Sequence, residues 1–414
     1  MKQMKYLAGT VSVAALLAAQ TVFGAGFGIY EGSARGNAMG TEVTADPASP
    51  SVLYNNPAAI TELEGTQVEV GATFIRPAQT VTTMTPAGEV KNYADSRWWT
   101  PPNAYVTHQF NDKIWTGLGV FSRYGLGIEF EDNWLGRYNC QEATIQSIDI
   151  NPSVAFKVLD NLSLAAGLRA EWFEFELFRA LPTGAPFVDP DLQLRIKGDS
   201  WGLGYNLGAF FKATEWLSLG VAFESEVDQD VEGDYSVKHP AGNIINNGDG
   251  KGDVTTPAII RLGASIKATD KLTLNAGVVY TMWSSYDQLA IEFDPALLGM
   301  VPASVTEKDW DDVFRYQFGV EYALDETWAL RAGYIFDETP DPDAHVDYIV
   351  PANDRHLFSV GVGYKKDNFF CDLGYTYLMI RDRDVAERQA DGVVEGKFKD
   401  GDAHMVGVSV GYKL

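Results

Sequence analysis

The chain has 414 residues, and its acidic side chains outnumber the basic ones 56 to 32, for a net charge of −24. That balance excludes a nucleic-acid binder, whose partner phosphates demand Lys and Arg. Hydrophobic residues make up 46%, enough for a large folded body, yet no apolar run after the N-terminus reaches the ~18–20 residues of a membrane helix. The only cysteines, Cys140 and Cys371, lie too far apart in sequence to make a disulfide framework.

The chain begins like an export signal. Lys2 and Lys5 form a basic start, Tyr6–Ala19 is apolar, and Val22-Phe23-Gly24 ends in a small residue suited to cleavage. Residues 1–24 therefore read as a signal peptide, too short in its apolar part to span a bilayer. Residues 25–65 follow no strand period and are rich in small residues, among them Gly26, Gly28, Gly32, Ala34, Gly36, Ala38 and Gly40. Such a segment holds too little apolar bulk to fold alone. Inside a barrel it would make an N-terminal hatch, its small residues letting backbone approach the wall. At its end, Pro57 fixes φ and pushes Asn56 out of the helical region, and an Asn side chain can close a local turn. Asn56-Pro57-Ala58 is then either the pin of the hatch or only a turn before a strand.

From Thr66 the dominant period is two. In Thr327–Glu338, Trp328, Leu330, Ala332, Tyr334 and Phe336 share one face, against Ala329, Arg331 and Gly333 on the other. Residues 313–324, 355–365 and 258–268 repeat the pattern. A soluble sandwich would turn such apolar faces inward; a transmembrane barrel turns them to lipid and lines its lumen with the polar face. Segment length separates the two. Soluble strands average about 5–6 residues, membrane strands about 9–11, and most of these runs are as long as the latter or longer. The expected strands are 66–78, 102–110, 114–127, 143–158, 161–178, 193–212, 215–229, 253–268, 271–287, 310–323, 326–337, 355–366, 368–381 and 402–414. They are joined by alternating short turns and long loops. Fourteen is an even number, as a closed antiparallel barrel of the bacterial outer membrane requires, with short periplasmic turns and long outer loops. The expectation is an all-β, 14-stranded antiparallel transmembrane β-barrel over 66–414, with residues 25–65 inside it.

The quoted stretches "AGFGIYE", "GSARGNAMG", "NNPAAI", "RYGLGIEFEDNWLGRY", "NPSVAFKVLDNLSLAAGL", "TPAIIRLGASI", "LRAGYIFDETP" and "NDRHLFSVGVGY", in their order and spacing, resemble the long-chain fatty acid transporters of the FadL/TodX type. The resemblance covers nearly the whole mature chain. It implies a hatch in the lumen, uptake of hydrophobic molecules, and exit sideways beside a kinked third strand. The family's Asn-Pro-Ala motif falls on Asn56, Pro57 and Ala58. The terminal residue, Leu414, departs mildly from the aromatic that usually ends such barrels.

A sideways exit suits greasy cargo, since each buried CH₂ favours an apolar setting by about 0.8 kcal/mol. A turn centred near Asp112 places Pro101 and Pro102 opposite Arg123 and Ser122. Proline donates no ladder hydrogen bond, and Gly125 and Gly127 beyond tolerate a bend. These residues mark either a lateral gap or merely the start of a strand. Capture calls for apolar groups on outer loops: Trp134, Leu135, Leu181, Phe187, Leu297, Leu298, Met300 and Val301. A carboxylate headgroup would favour a cation among Arg169, Arg179, Arg261, Arg315, Arg331 and Arg355, which alternation aims at the lumen or its rim. Most of them have lumenal carboxylates, such as Glu171, Glu321 and Asp372, to pair with instead.

Gly407-Val408-Ser409-Val410-Gly411 matches G-x-S-x-G, but a nucleophile elbow needs a strand-to-helix turn and Ser409 lies mid-strand, so no enzyme is expected. No cofactor or metal is expected either; 246–253 lacks the Glu of a calcium loop. The reading is passive outer-membrane uptake of hydrophobic small molecules by a monomer among membrane lipids and lipopolysaccharide. The alternatives are a general diffusion porin for hydrophilic solutes and a barrel enzyme acting on lipid.

Overall fold

The computed structural model describes residues 26–41, 43–85, 88–184 and 190–414. The signal-peptide expectation and Phe187 lie outside the described residues. The barrel strands are β1 Thr66–Thr85, β2 Pro102–Asn111, β3 Ile114–Phe121 continued by Gly125–Glu129, β4 Glu142–Leu159, β5 Leu162–Leu181, β6 Leu192–Lys212, β7 Leu217–Glu224 continued by Val227–Lys238, β8 Ile244–Thr256 continued by Ile259–Lys267, β9 Leu272–Thr281, β10 Val313–Ala323, β11 Trp328–Asp337, β12 Arg355–Lys366, β13 Phe369–Ile380 and β14 Gly396–Lys413. All neighbours are antiparallel, and β1 pairs with β14 from Gln67↔Lys413 to Thr83↔Gly396, which closes the barrel. Closure removes the two open ends that a flat sheet would present to lipid.

The alternation read from the sequence holds, with the apolar face outward. Leu203, Leu168, Phe318, Leu330 and Val360 are exposed, whereas Arg261, Gln317 and Ser359 are buried in the lumen and Arg331 is half-buried there. Several strands outrun the membrane: β6 has 21 residues, against the ~9–11 a bilayer needs. The greatest departure from expectation is 230–252. It was expected as loop and is a tall hairpin instead, Val227–Lys238 paired with Ile244–Thr256. Val227, Gln229, Val231 and Tyr235 point inward, while Asp228, Asp230, Glu232 and Asp234 point out. Above the membrane the outer face meets water, so the lipid signature vanishes although the period persists.

Residues 26–41 and 43–65 run inside the barrel. Helix α1 (Ala34–Ala38) is capped by Ser33, whose Oγ accepts from Gly36 N at 3.0 Å. It and the turn after it press on wall glycines: a Cβ on Gly361 would stand 2.5 Å from Ala38 Cβ, and one on Gly333 would stand 2.1 Å from the backbone N of Gly40. Two 3-10 turns follow, Pro50–Tyr54 and Pro57–Glu62. The segment is bolted to the wall by polar contacts. Tyr105 donates to Gly32 O at 2.6 Å, Trp115 Nε1 to Leu63 O at 2.9 Å, and Ala34 N to Ser409 Oγ at 3.0 Å. Asn56 does two jobs. Its Oδ1 accepts from Ala58 N at 3.0 Å, closing the turn, and its Nδ2 donates to Thr44 O and to Ala209 O on β6, each at 3.0 Å.

Candidate functional site

The wall is interrupted between β2 and β3. The two strands pair from Asn111↔Ile114 to Asn103↔Phe121 and then part. Above Phe121, the one backbone bond across the seam among the described residues is Asp95 N to Glu129 O, 2.7 Å. Residues 96–102 and 122–128 thus face each other across a window. On its other side, β3 bulges against β4: Phe121↔Asp149 is followed by Gly125↔Gln146, four residues against three. The window holds all five positions read as the gap. Pro101 and Pro102 lie on one edge; Ser122, Arg123 and Gly125 lie on the other.

Backbone groups freed at such a break must be paired elsewhere when buried. Here the N-terminal segment pairs them. Ile29 N donates to Arg123 O at 2.8 Å, and Gly125 N donates to Phe27 O at 2.7 Å, around a bridge between Gly28 and Tyr124. Residues 27–29 thus stand in for a missing strand on the window's inner edge.

Phe27 fills an aromatic cage at this level. Its ring centroid is 4.7 Å from Trp283, 5.5 Å from Tyr286, 5.6 Å from Trp310, 5.8 Å from Tyr124 and 6.4 Å from Phe173. Gly26 (φ +63°) is crowded by Trp310 and Trp283, leaving no room for a side chain. The cavity beside the cage, lined by Gly28, Tyr30, Tyr54, Arg123, Tyr124 and Trp283, is only ≈10 Å³, too small for any organic molecule. Above, a continuous apolar cluster runs from the cage through Leu289, Ile291 and Phe293 to Leu297 and sideways to Leu126, Ile128 and Phe130. Phe27, Trp283, Tyr286 and Trp310 are absent from the sequence-based expectations. They stand at the ends of long loops or in the glycine-rich segment, and no period links them.

Below the cage the chemistry reverses. Arg169 Nε meets Asp149 Oδ1 at 2.9 Å and its Nη2 meets Glu171 Oε2 at 2.7 Å. Arg123 Nη2 meets Glu224 Oε1 at 2.9 Å, and Arg261 pairs with the same carboxylate. Arg123 also donates to Tyr54 O at 3.1 Å and stacks 4.4 Å above its ring. Arg331 joins Glu321 and Asp372, each at 2.6 Å, and Arg355 joins Asp337 at 2.6 Å. Four of the six arginines considered for a headgroup, Arg169, Arg261, Arg331 and Arg355, are thus engaged with carboxylates of the wall. Arg179 lies apart, its Nη2 donating to Ser304 Oγ at 3.4 Å. Arg315 is buried with its guanidinium 3.4 Å above the Tyr30 ring, and its Nε and Nη1 meet no acceptor among the described residues. Burial pushes the Tyr30 phenol up to about 12 and also raises Glu31.

The capture residues divide. Leu298, Met300 and Val301 are exposed at the tip of a β-hairpin, Gln288–Leu297 with Val301–Glu307. Trp134 and Leu297 correct the expectation of outward-facing capture groups, because both are buried. Trp134 stacks on Phe130 at 4.0 Å and donates to Cys140 O, while Leu297 joins the apolar cluster. Leu135 is half-buried, and Leu181 packs on the cluster's margin. The outer loops also bring the ligand atoms of Glu307, Asp309 and His345 within 4.8 Å of one another, a grouping their separation in sequence conceals.

Residues 15–414 match the family model described as outer membrane protein transport protein (OMPP1/FadL/TodX). A long-chain fatty acid transport protein of Escherichia coli O6:H1 is 24% identical over 443 positions, covering 97% of each chain. Outer membrane protein P1 of Haemophilus influenzae is 28% identical over 422 positions, covering 90% of each. In fold, the chain is similar to a Pseudomonas aeruginosa FadL homologue, with a TM-score of 0.83 at 20% identity over 94% of this chain and 99% of that one. It is also similar to the Pseudomonas putida toluene transporter TodX, with a TM-score of 0.73 at 16% identity over 96% and 99%. With its closed fourteen-stranded barrel and lipid-facing apolar belt, the chain belongs to the OMPP1/FadL/TodX family of transport proteins of the bacterial outer membrane.

Proposed function

We propose that this protein takes up hydrophobic small molecules passively and releases them sideways into the outer membrane through the window between β2 and β3. The cargo class spans long-chain fatty acids and aromatic hydrocarbons, the compounds named for its relative and its structural neighbour. The observation that carries this reading is the level of the window. It lies beside Phe27, where the apolar cluster ends and the buried ion pairs begin. Cargo enters past the exposed tip at Leu298, Met300 and Val301 and descends the apolar cluster. It then displaces Phe27 from its cage. Further descent would bury alkyl groups among charges, whereas a step through the wall keeps each CH₂ in apolar surroundings, worth about 0.8 kcal/mol apiece. Residues 25–65 act as a hatch pinned by Asn56, and the chain works as a monomer among membrane lipids and lipopolysaccharide. Ser409, spent on Ala34 N, has a holding role rather than a catalytic one.

Deleting Ser122 tests the exit. It removes the surplus residue of the bulge and lets β3 run unbroken along β4. Uptake of radiolabelled oleate, in a Gram-negative host without a transporter of its own, is expected to fall to background while the barrel still folds. Undiminished uptake in the folded deletion would refute lateral release.

A further inference from the structure

We infer that Trp99 is the shutter of the window and Arg97 its latch, so that the indole sets which cargo cross-section leaves the barrel; this rests on the lateral route proposed above. The strap 94–101 fills the space between β1 and the upper part of β3, and its two sides are fastened very differently. Towards β1 it is zipped by backbone. Ala94 N donates to Gln79 O, Thr73 N donates to Pro101 O, and Trp99 and Ile75 exchange two bonds of 2.8 Å. Towards β3 it has a single backbone bond, from Asp95 N to Glu129 O. The remaining hold on β3 and β4 comes from Arg97, whose guanidinium meets Glu129 at 3.2 Å and Glu142 at 2.9 Å. The seam that can part is therefore the one facing β3.

Trp99 closes that seam. It is 2% exposed, and its ring reaches across to the opposite edge, where a Cβ on Gly127 would stand 2.2 Å from Cζ2. Glycine at 127 is what allows an indole to lie there. The Arg97 guanidinium stacks 4.5 Å from the same ring, so one side chain both bridges the seam and holds the shutter down. Trp99 Nε1 is buried with no acceptor among the described residues. The closed position leaves a donor unpaired, and swinging out costs correspondingly less. The Arg97 side chain is 37% exposed, so its grip is modest and weakened by salt. Rotation of the indole would open the window without undoing the backbone bonds to β1, at the cost of its packing against Ile75, Leu357 and Met405.

The test is uptake of two probes, slim oleate and bulky pyrene-dodecanoate, by cells carrying the full-length chain. Trp99→Ala is expected to raise the ratio of bulky to slim uptake by about tenfold, the scale of steric discrimination in an apolar passage, and Trp99→Phe to raise it by less. Gly127→Ala is the second variant. It adds bulk yet should raise the same ratio, because its methyl group evicts the indole. For the latch, higher ionic strength should speed wild-type uptake, and Arg97→Gln should abolish that dependence. An unchanged ratio in both Trp99→Ala and Gly127→Ala, with both probes lost in the Ser122 deletion, overturns the shutter and leaves the lateral route standing. Uptake retained in the Ser122 deletion overturns both. A salt response that survives in Arg97→Gln overturns the latch.

Discussion

Above Phe27 the lumen is held together by rings and branched aliphatic side chains, such as Phe173, Leu194, Ile145 and Ile291; just below it come Arg123, Arg169 and Arg261 interleaved with Asp149, Glu171 and Glu224, with a second apolar cluster around Leu53, Trp115 and Phe210. Both halves are buried, yet they respond to change in opposite ways. Apolar packing is non-directional and forgiving of shape, whereas a buried ion lattice is exacting because each charge depends on its partners. A greasy molecule can be admitted to the upper half by moving side chains aside. In the lower half its way is barred by paired charges, and the apolar groups there, such as Leu53, Trp115 and Phe210, are already packed against one another. The boundary between the two coincides with the break in β3, and that coincidence gives the window its sense.

The sharpest way to break this comparison is one substitution in each half. Arg169→Met strands Asp149 and Glu171 in the lumen, where Arg169 holds both. A loss of about 3–5 kcal/mol is expected, read as a lower denaturant midpoint. Leu194→Met, in the apolar half, is expected to cost less than about 1.5 kcal/mol. Equal costs would mean that the lower half is not an ion lattice in the energetic sense.

The N-terminal segment gives a smaller effect of the same kind. Asn56→Ala removes the side chain that closes the turn at Ala58 and grips Thr44 O and Ala209 O. Each bond is worth about 1 kcal/mol net, too little to unfold a fourteen-stranded barrel but enough to loosen the turn at 56–58 from the wall. Uptake should be impaired and single-channel ion conductance should rise, with folding intact. A porin for hydrophilic solutes would conduct before the change as well as after it.

Much of the barrel was legible because lipid imposes a strict rule on alternate residues. Phe318 and Val320 point out while Gln317 points in, and a period-two reading finds them. The register across the second turn was also legible, since a tight turn near Asp112 leaves one antiparallel pairing, which brings Pro101 and Pro102 to the window. The tall hairpin at 227–256 escaped because its outer face is acidic. The interior of the site escaped for another reason. Phe27, Trp99 and Trp310 come from the N-terminal segment, a strap and a loop end, and only closure of the barrel brings such segments to one level. The arginines were seen as lumenal, but their carboxylate partners depend on which strands are neighbours.

The smallest expected effect lies in the outer loops, where one acid departs from the usual range. Asp341 is buried beneath the loop 338–354, and burial pushes its carboxyl up to about 7, although Arg383 and Lys308 pull the other way. Its Arg383 contact is long, 3.7 Å, and its Oδ1 has no donor among the described residues. A carboxyl whose folded pKa is raised binds its proton more tightly in the folded loop than in the unfolded one. The loop should therefore be firmest below the ordinary carboxylate value of 3.8 and weaken as pH rises towards about 7. Nearby, Lys308 and Asp347 keep their 2.5 Å buried pair, which limits the change to local loosening. Hydrogen exchange of residues 338–354, corrected for intrinsic rates, should show protection falling between about pH 4 and 7 by at least about tenfold, the effect of a single pKa unit. Asp341→Asn, which cannot ionise, should flatten the profile at its low-pH level. A wild-type profile that is already flat would remove Asp341 as the source of any pH response in the loops above the apolar column.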